Sequence, residues 1–137
     1  MTGSEKVRRM NMVGAIGLAL LGVALFFNKL GEQPAGVLIA IVVMYALLVA
    51  VPVVSMRALS AESSQRVRTF AIFANWFVIG LWLIGFLGAV YNHVGIVQSI
   101  GGALMLVLPQ TINIRTLRRL NRDRTAENRV PLQEART

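Results

Sequence analysis

The sequence predicts an all-α protein: an integral membrane four-helix bundle built from two tandem transmembrane hairpins. The first observation is composition, because hydrophobic residues make up 55% of the chain, more than in an average soluble domain. The second is charge, since Asp, Glu, Lys and Arg leave three long gaps at 10–28, 33–56 and 69–114. A membrane-spanning helix needs about 20 apolar residues. The first two gaps therefore hold one span each, and the third holds two spans with a tight turn.

The third observation is a repeated pattern. Residues 16–22 read IGLALLG, and residues 79–85 read IGLWLIG. Each copy leads to an Asn-x-x-Gly turn, at Asn28 to Gly31 and at Asn92 to Gly95. A second apolar run follows each turn, so the pattern indicates one hairpin present twice. Both hairpins start and end on the same side of the membrane, which makes them parallel repeats.

A soluble four-helix bundle is the alternative fold, and it would need a polar face on every helix. The segment 37–54 is apolar on all sides, which excludes this fold. The four spans are predicted at 10–27, 36–56, 70–90 and 94–113. Together with a basic amphipathic extension they form a membrane domain over residues 1–120, and 121–137 is predicted to be a disordered cytoplasmic tail.

Glycine residues recur along spans one and three. Glycines at helical spacing let helix backbones approach closely in lipid, so they are candidates for packing against another helix. Trp82 is too central in span three for an interfacial tryptophan, and it joins this group. The helix-packing and partner candidates are Gly14, Gly17, Gly22, Gly80, Trp82, Gly85 and Gly88.

Spans two and four each carry a proline near the inner end, Pro52 and Pro109, and the helix is expected to kink or end at Pro52. Beyond span four, Ile114, Leu117 and Leu120 fall on one helical face among arginines. This pattern predicts a basic amphipathic helix along the membrane surface. Its lipid-headgroup candidates are Arg115, Arg118, Arg119 and Arg122.

The basic residues predict the orientation. All 14 except Lys29 lie in the N-terminal arm, the middle loop or the C-terminal segment. Because lysine and arginine concentrate in cytoplasmic segments, both termini are predicted to be cytoplasmic. The short loops are typical of a bacterial inner membrane. No aromatic residues are interleaved with the arginines, so nucleic acid is not an expected partner.

The spans lack ionisable side chains, apart from His93 at the outer rim. Proton-coupled carriers, ion pumps and intramembrane hydrolases use such groups, so these classes are not expected. A lone histidine and the absence of cysteine predict neither a metal site nor a thiol nucleophile. We therefore expect no enzyme activity and no cofactor.

The polar intramembrane candidates are Asn75, Gln98 and Ser99. Asn75 either contacts a partner or solute, or makes a hydrogen bond between helices of the bundle, and the second role is favoured. The leading functional hypothesis is a non-catalytic protein that acts by helix–helix contact with a partner membrane protein, as an accessory or assembly subunit or a toxin-immunity protein. The alternative is a homo-oligomeric channel or passive carrier for a small neutral or lipidic solute. A third hypothesis is a lipid-surface organiser acting through its tail.

Overall fold

Four helices form the computed structural model: α1 (Gly3–Lys29), α2 (Ala35–Ala58), α3 (Gln65–Tyr91) and α4 (Ile96–Glu127). It describes residues 3–93 and 95–127, without the side chains at 96, 98, 99, 101–105 and 127. The all-α prediction is confirmed. Helices α1, α2 and α3 are long and apolar enough to cross a membrane, with hydropathies of 2.1, 3.0 and 2.1. They indicate an integral membrane protein, whereas the fourth span stays a prediction.

The helices are longer than the predicted spans, because their polar flanks remain helical. Helix α4 has 32 residues, or about 48 Å at 1.5 Å per residue, against a hydrocarbon core of about 30 Å. Residues 121–127, predicted to be disordered, belong to this helix. Arg124 donates to the carbonyl of Ser63 at 2.7 Å, which fixes the end of the helix. The rest of the predicted tail, 128–137, lies outside the described residues.

Both prolines lie inside their helices. Helix α2 continues past Pro52 to Ala58, and α4 continues past Pro109 to Glu127. A proline removes one backbone hydrogen bond. In membrane helices, neighbouring side chains and small local adjustments satisfy the freed carbonyl. Of the two outcomes expected at Pro52, an end of the helix is therefore wrong, and a kink stays a prediction.

The chain divides into two compact units, 1–57 and 58–137. We call the pair α1–α2 hairpin one and the pair α3–α4 hairpin two. In both hairpins the buried residues concentrate towards the start of the first helix and the end of the second. We call this end the inner end. The rest of each helix exposes apolar side chains, such as Phe27 at 66% and Ile84 at 70%, as contact with lipid requires.

The two turns that join α1 to α2 and α3 to α4 share a backbone feature. Gly31 has φ +88° and Gly95 has φ +64°, in the left-handed region that glycine enters without steric cost. Both are the last residue of an Asn-x-x-Gly turn. In the second turn, the side chain of Asn92 also donates to the carbonyl of Gly88 at 2.7 Å. The duplication of the hairpin stays a prediction, and these matching glycines are consistent with it.

Candidate functional site

A buried amide cluster joins the helices of hairpin two. Asn75 and Asn113 are both fully buried. The Nδ2 atom of Asn113 donates to Oδ1 of Asn75 at 3.0 Å and to Oε1 of Gln110 at 3.4 Å. The amide nitrogen of Asn75 donates to the carbonyl of Ala71 at 2.6 Å. Asn75 thus makes an interhelical hydrogen bond, the structural role that its position favoured.

Arg68 ties three chain segments together. It is 4% exposed, and all three of its guanidinium nitrogens donate to backbone carbonyls. Nε reaches Ala58 at 3.3 Å, Nη2 reaches Ser60 at 3.2 Å, and Nη1 reaches Leu120 at 3.3 Å. Ala58 is the last residue of α2, where unpaired carbonyls favour a cation. We call this arrangement the Arg68 clamp.

Sequence reasoning missed the Arg68 clamp. It counted Arg68 as one of several basic residues that set the orientation. The acceptors lie 8, 10 and 52 residues away along the chain, so no local pattern marks this arginine. Arg66, two residues earlier, is exposed.

The predicted headgroup residues Arg115, Arg118, Arg119 and Arg122 are exposed, and we call them the arginine face. The other side of the same helical segment is buried, with Ile114 at 4% and Leu117 at 0% exposure. The segment is amphipathic, as its pattern indicated. Its apolar side is packed inside the protein, so that side does not lie on the membrane, contrary to the prediction.

The candidate glycines differ sharply in their surroundings. A Cβ atom on Gly22 would meet Cγ of Tyr45 at 2.8 Å and its Cβ at 2.9 Å. Gly22 therefore lets α1 approach Tyr45 of α2. In the part of the chain that the structure describes, a Cβ on each of the other five would meet no atom within 4 Å. These five are Gly14, Gly17, Gly80, Gly85 and Gly88.

Trp82, the remaining packing candidate, is half-buried. Its ring stacks on that of Phe86, one turn later in the same helix, with centroids 5.2 Å apart. Of the polar candidates, Gln98 and Ser99 have side chains outside the described part of the molecule. Asn75 is the polar candidate whose side chain lies within the described part.

An apolar cleft of about 560 Å³ lies between the helices of hairpin one. Ala19 and Gly22 line it from α1, and Tyr45, Ala46 and Val49 line it from α2. Its volume falls in the range of ligand pockets, about 300–1,000 Å³. Small residues on both walls leave room for an apolar chain or side chain.

The buried polar side chains are of types that make hydrogen bonds without titrating near neutral pH. Among the described residues, the buried polar side chains are amides, hydroxyls and the Arg68 guanidinium, none of which exchanges a proton near neutral pH. The same residues contain no group of His, Cys, Asp and Glu able to hold a metal ion. These side chains are suited to holding helices together.

No known protein family, curated protein or solved structure matches this chain.

Proposed function

We propose that this chain is a small non-catalytic membrane protein that acts by helix–helix contact with a partner membrane protein. An accessory or assembly subunit and a toxin-immunity protein are the two forms of this role. The proposal includes four spans in two tandem hairpins, cytoplasmic termini and a place in the bacterial inner membrane. The observation that carries it is that, among the described residues, no atom lies within 4 Å of a Cβ atom added to any of the five glycines.

Those glycines need an explanation, because glycine inside a helix costs about 0.5–1 kcal/mol relative to alanine. Gly22 has one, since Tyr45 occupies the space that a larger residue would need. Gly17 and Gly80 stand at matching places in the two hairpins and have no such neighbour among the described residues. Contact with a helix of another protein supplies the missing reason, because small residues are the usual means of helix association in lipid.

The cleft in hairpin one supports the same role. Its walls carry alanines as well as valines, and short side chains allow a partner's side chain to enter between α1 and α2. No backbone donor or charged group would have to be desolvated there. Such contact relies on dispersion and shape, which are the main sources of helix affinity within lipid.

The channel alternative has less support. Asn75 was its main lining candidate, and both its amide nitrogen and its carbonyl oxygen are engaged by protein groups. A polar path along Asn75 would have to break the bond to Asn113. Flux through reconstituted liposomes, measured for wild type and Asn75→Leu, separates the hypotheses. A flux in the wild type that the substitution abolishes would favour the channel.

The decisive test adds bulk to the open glycines. Gly17→Leu and Gly80→Leu add atoms where the described residues have none within 4 Å, so folding should survive. The matched control is Ile16→Phe, which adds bulk at an apolar position that is 55% exposed. The tagged proteins are gently extracted, and companions are quantified by native mass measurement.

We expect a companion protein at fixed stoichiometry in the wild type and the control, and its loss by tenfold or more in the glycine variants. Circular dichroism and size-exclusion chromatography check that each variant is folded. An equal companion yield in folded glycine variants would refute the proposal. A wild-type homo-oligomer with no companion would refute it as well.

A further inference from the structure

The inner end of hairpin two carries arginines of two kinds. Arg68 and Arg124 donate to backbone carbonyls and serve the fold. Arg115, Arg118 and Arg122 are exposed and make no hydrogen bond or ion pair with any described residue. Arg119 of the same face has only a marginal contact, 4.0 Å from Asp123. The arginine face thus presents guanidinium groups that the described protein does not neutralise.

Two contacts set the height of the arginine face. Arg68 bonds to Leu120, and Asn75 is bonded by Asn113. The partners are seven residues apart on each helix, so α3 and α4 run antiparallel in constant register. Arg122 therefore lies at the height of Arg66 of α3, and Arg118 at the height of Phe70, but all four residues stand on the sides of their helices that face away from the other helix.

At that height α3 changes from polar to apolar. A shallow, open notch on the surface of α3 is lined by Gln65, Arg66 and Thr69 together with Phe70 and Phe73. The two phenylalanines are 60% and 67% exposed. Arg66 likewise has no hydrogen-bond or ion-pair partner among the described residues. The notch therefore places a charged side chain next to apolar side chains, and this order matches the headgroup and the acyl chain of a phospholipid.

We propose that the inner end of hairpin two binds anionic phospholipid. Arg66 binds the phosphate of a lipid whose acyl chain lies along Phe70 and Phe73, and the arginine face binds the phosphates of further lipids at the same height. Arginine suits this task because its planar fork donates two parallel hydrogen bonds to a phosphate. An acidic protein would match the charge of Arg66 but not the exposed phenylalanines beside it.

The test uses the full-length protein in phosphatidylcholine nanodiscs with or without phosphatidylglycerol, and native mass spectrometry counts the lipids that remain bound. We expect phosphatidylglycerol to be retained in preference to phosphatidylcholine. An arginine near the surface contributes about 1 kcal/mol to anionic lipid binding. The pair Arg118→Gln and Arg122→Gln should therefore lower the apparent phosphatidylglycerol affinity about 10- to 30-fold.

The matched control removes two exposed arginines elsewhere, by Arg8→Gln and Arg9→Gln in α1, and should lower the affinity clearly less than the Arg118 and Arg122 pair, because it removes only a general attraction to the anionic surface. Phe73→Ser should weaken phosphatidylglycerol binding several-fold. Glycerol phosphate, which has the anionic group without acyl chains, should not displace the lipid. Equal losses in both arginine pairs, no loss in Arg118→Gln with Arg122→Gln, or displacement by glycerol phosphate would overturn the proposal. Companion yields measured on the same variants keep this result separate from the partner proposal.

Discussion

Hairpin one and hairpin two hold their helices by different means. In hairpin one, Gly22 of α1 admits the side chain of Tyr45, and an apolar cleft of about 560 Å³ lies beside this contact. In hairpin two, the amide of Asn113 bonds Asn75, and Arg68 donates to Leu120 of α4. The contact at Gly22 and Tyr45 depends on shape, whereas the contacts at Asn113 and Arg68 are directional hydrogen bonds.

The difference teaches how each hairpin responds to its surroundings. Dispersion contacts are individually small and non-directional, and lipid can replace them with similar contacts. Hydrogen bonds in a medium of low dielectric are stronger and fix geometry. Hairpin two should therefore keep a single register, whereas hairpin one can adapt its cleft to what enters it. Four substitutions test this contrast.

The largest effect is expected for Arg68→Met, which removes the Arg68 clamp while keeping a long side chain. Three carbonyls lose a charged donor, and bonds to charged groups contribute about 1.5–3 kcal/mol each. We expect hairpin two to lose about 3 kcal/mol or more, measured as unfolding in detergent. Arg66→Met, at an exposed neighbouring position, should change stability by less than about 0.5 kcal/mol. Similar losses in both variants would contradict the clamp.

The second effect tests hairpin one. Gly22→Ala places a Cβ within 2.8–2.9 Å of the base of the Tyr45 side chain, and such overpacking costs about 1–3 kcal/mol. Adding Tyr45→Ala to this variant should restore part of the loss, because it removes the clash. Unfolding measurements of the two single variants and the double variant give the coupling. Independent, additive effects would show that Gly22 and Tyr45 do not define this contact.

The third effect concerns the amide cluster. Asn75→Leu should cost hairpin two about 0.6–2 kcal/mol, the usual range for a hydrogen bond between membrane helices. Asn113→Leu should cost a similar amount, and the double variant should cost less than the sum because neither amide is then left unpaired. A double-mutant cycle of unfolding free energies measures this. A coupling energy of zero would show that the hydrogen bond between Asn75 and Asn113 does not stabilise hairpin two.

The smallest effect has the opposite sign. Gly17→Ala adds a methyl group that meets no described atom within 4 Å, and alanine favours the helix by about 0.5–1 kcal/mol over glycine. We expect hairpin one to gain that amount, while Gly22→Ala destabilises it. Unfolding measurements on the isolated protein check both variants. A loss of stability in Gly17→Ala would mean that this position is packed inside the protein.

Much of the fold follows from the sequence, because long uncharged segments must be helical in lipid, where every backbone polar group needs a partner. The neighbours of particular side chains cannot be predicted from the sequence in the same way. Gly17 and Gly22 look alike until Tyr45, 23 positions later in the chain, is placed beside one of them. Arg66 and Arg68 likewise differ only through carbonyls that are distant in sequence.

Ile114 and Leu117 show a second limit. A buried protein interior and a lipid surface are both apolar, so an amphipathic pattern cannot distinguish them. Membrane contact was expected, and the structure buries both residues inside the protein. By contrast, the role of Asn75 could be anticipated, because an amide two turns inside a span has few partners other than a neighbouring helix.

The Arg68 clamp also sets an order of events during translation. Ala58 and Ser60 precede Arg68 in the chain, so two of its three bonds can form as soon as it leaves the ribosome. Leu120 follows 52 residues later, which takes roughly 3–10 seconds at typical elongation rates. Throughout that interval one guanidinium nitrogen needs another acceptor, such as water or a lipid phosphate. Hairpin two therefore reaches its final register only late in synthesis, well after hairpin one has emerged.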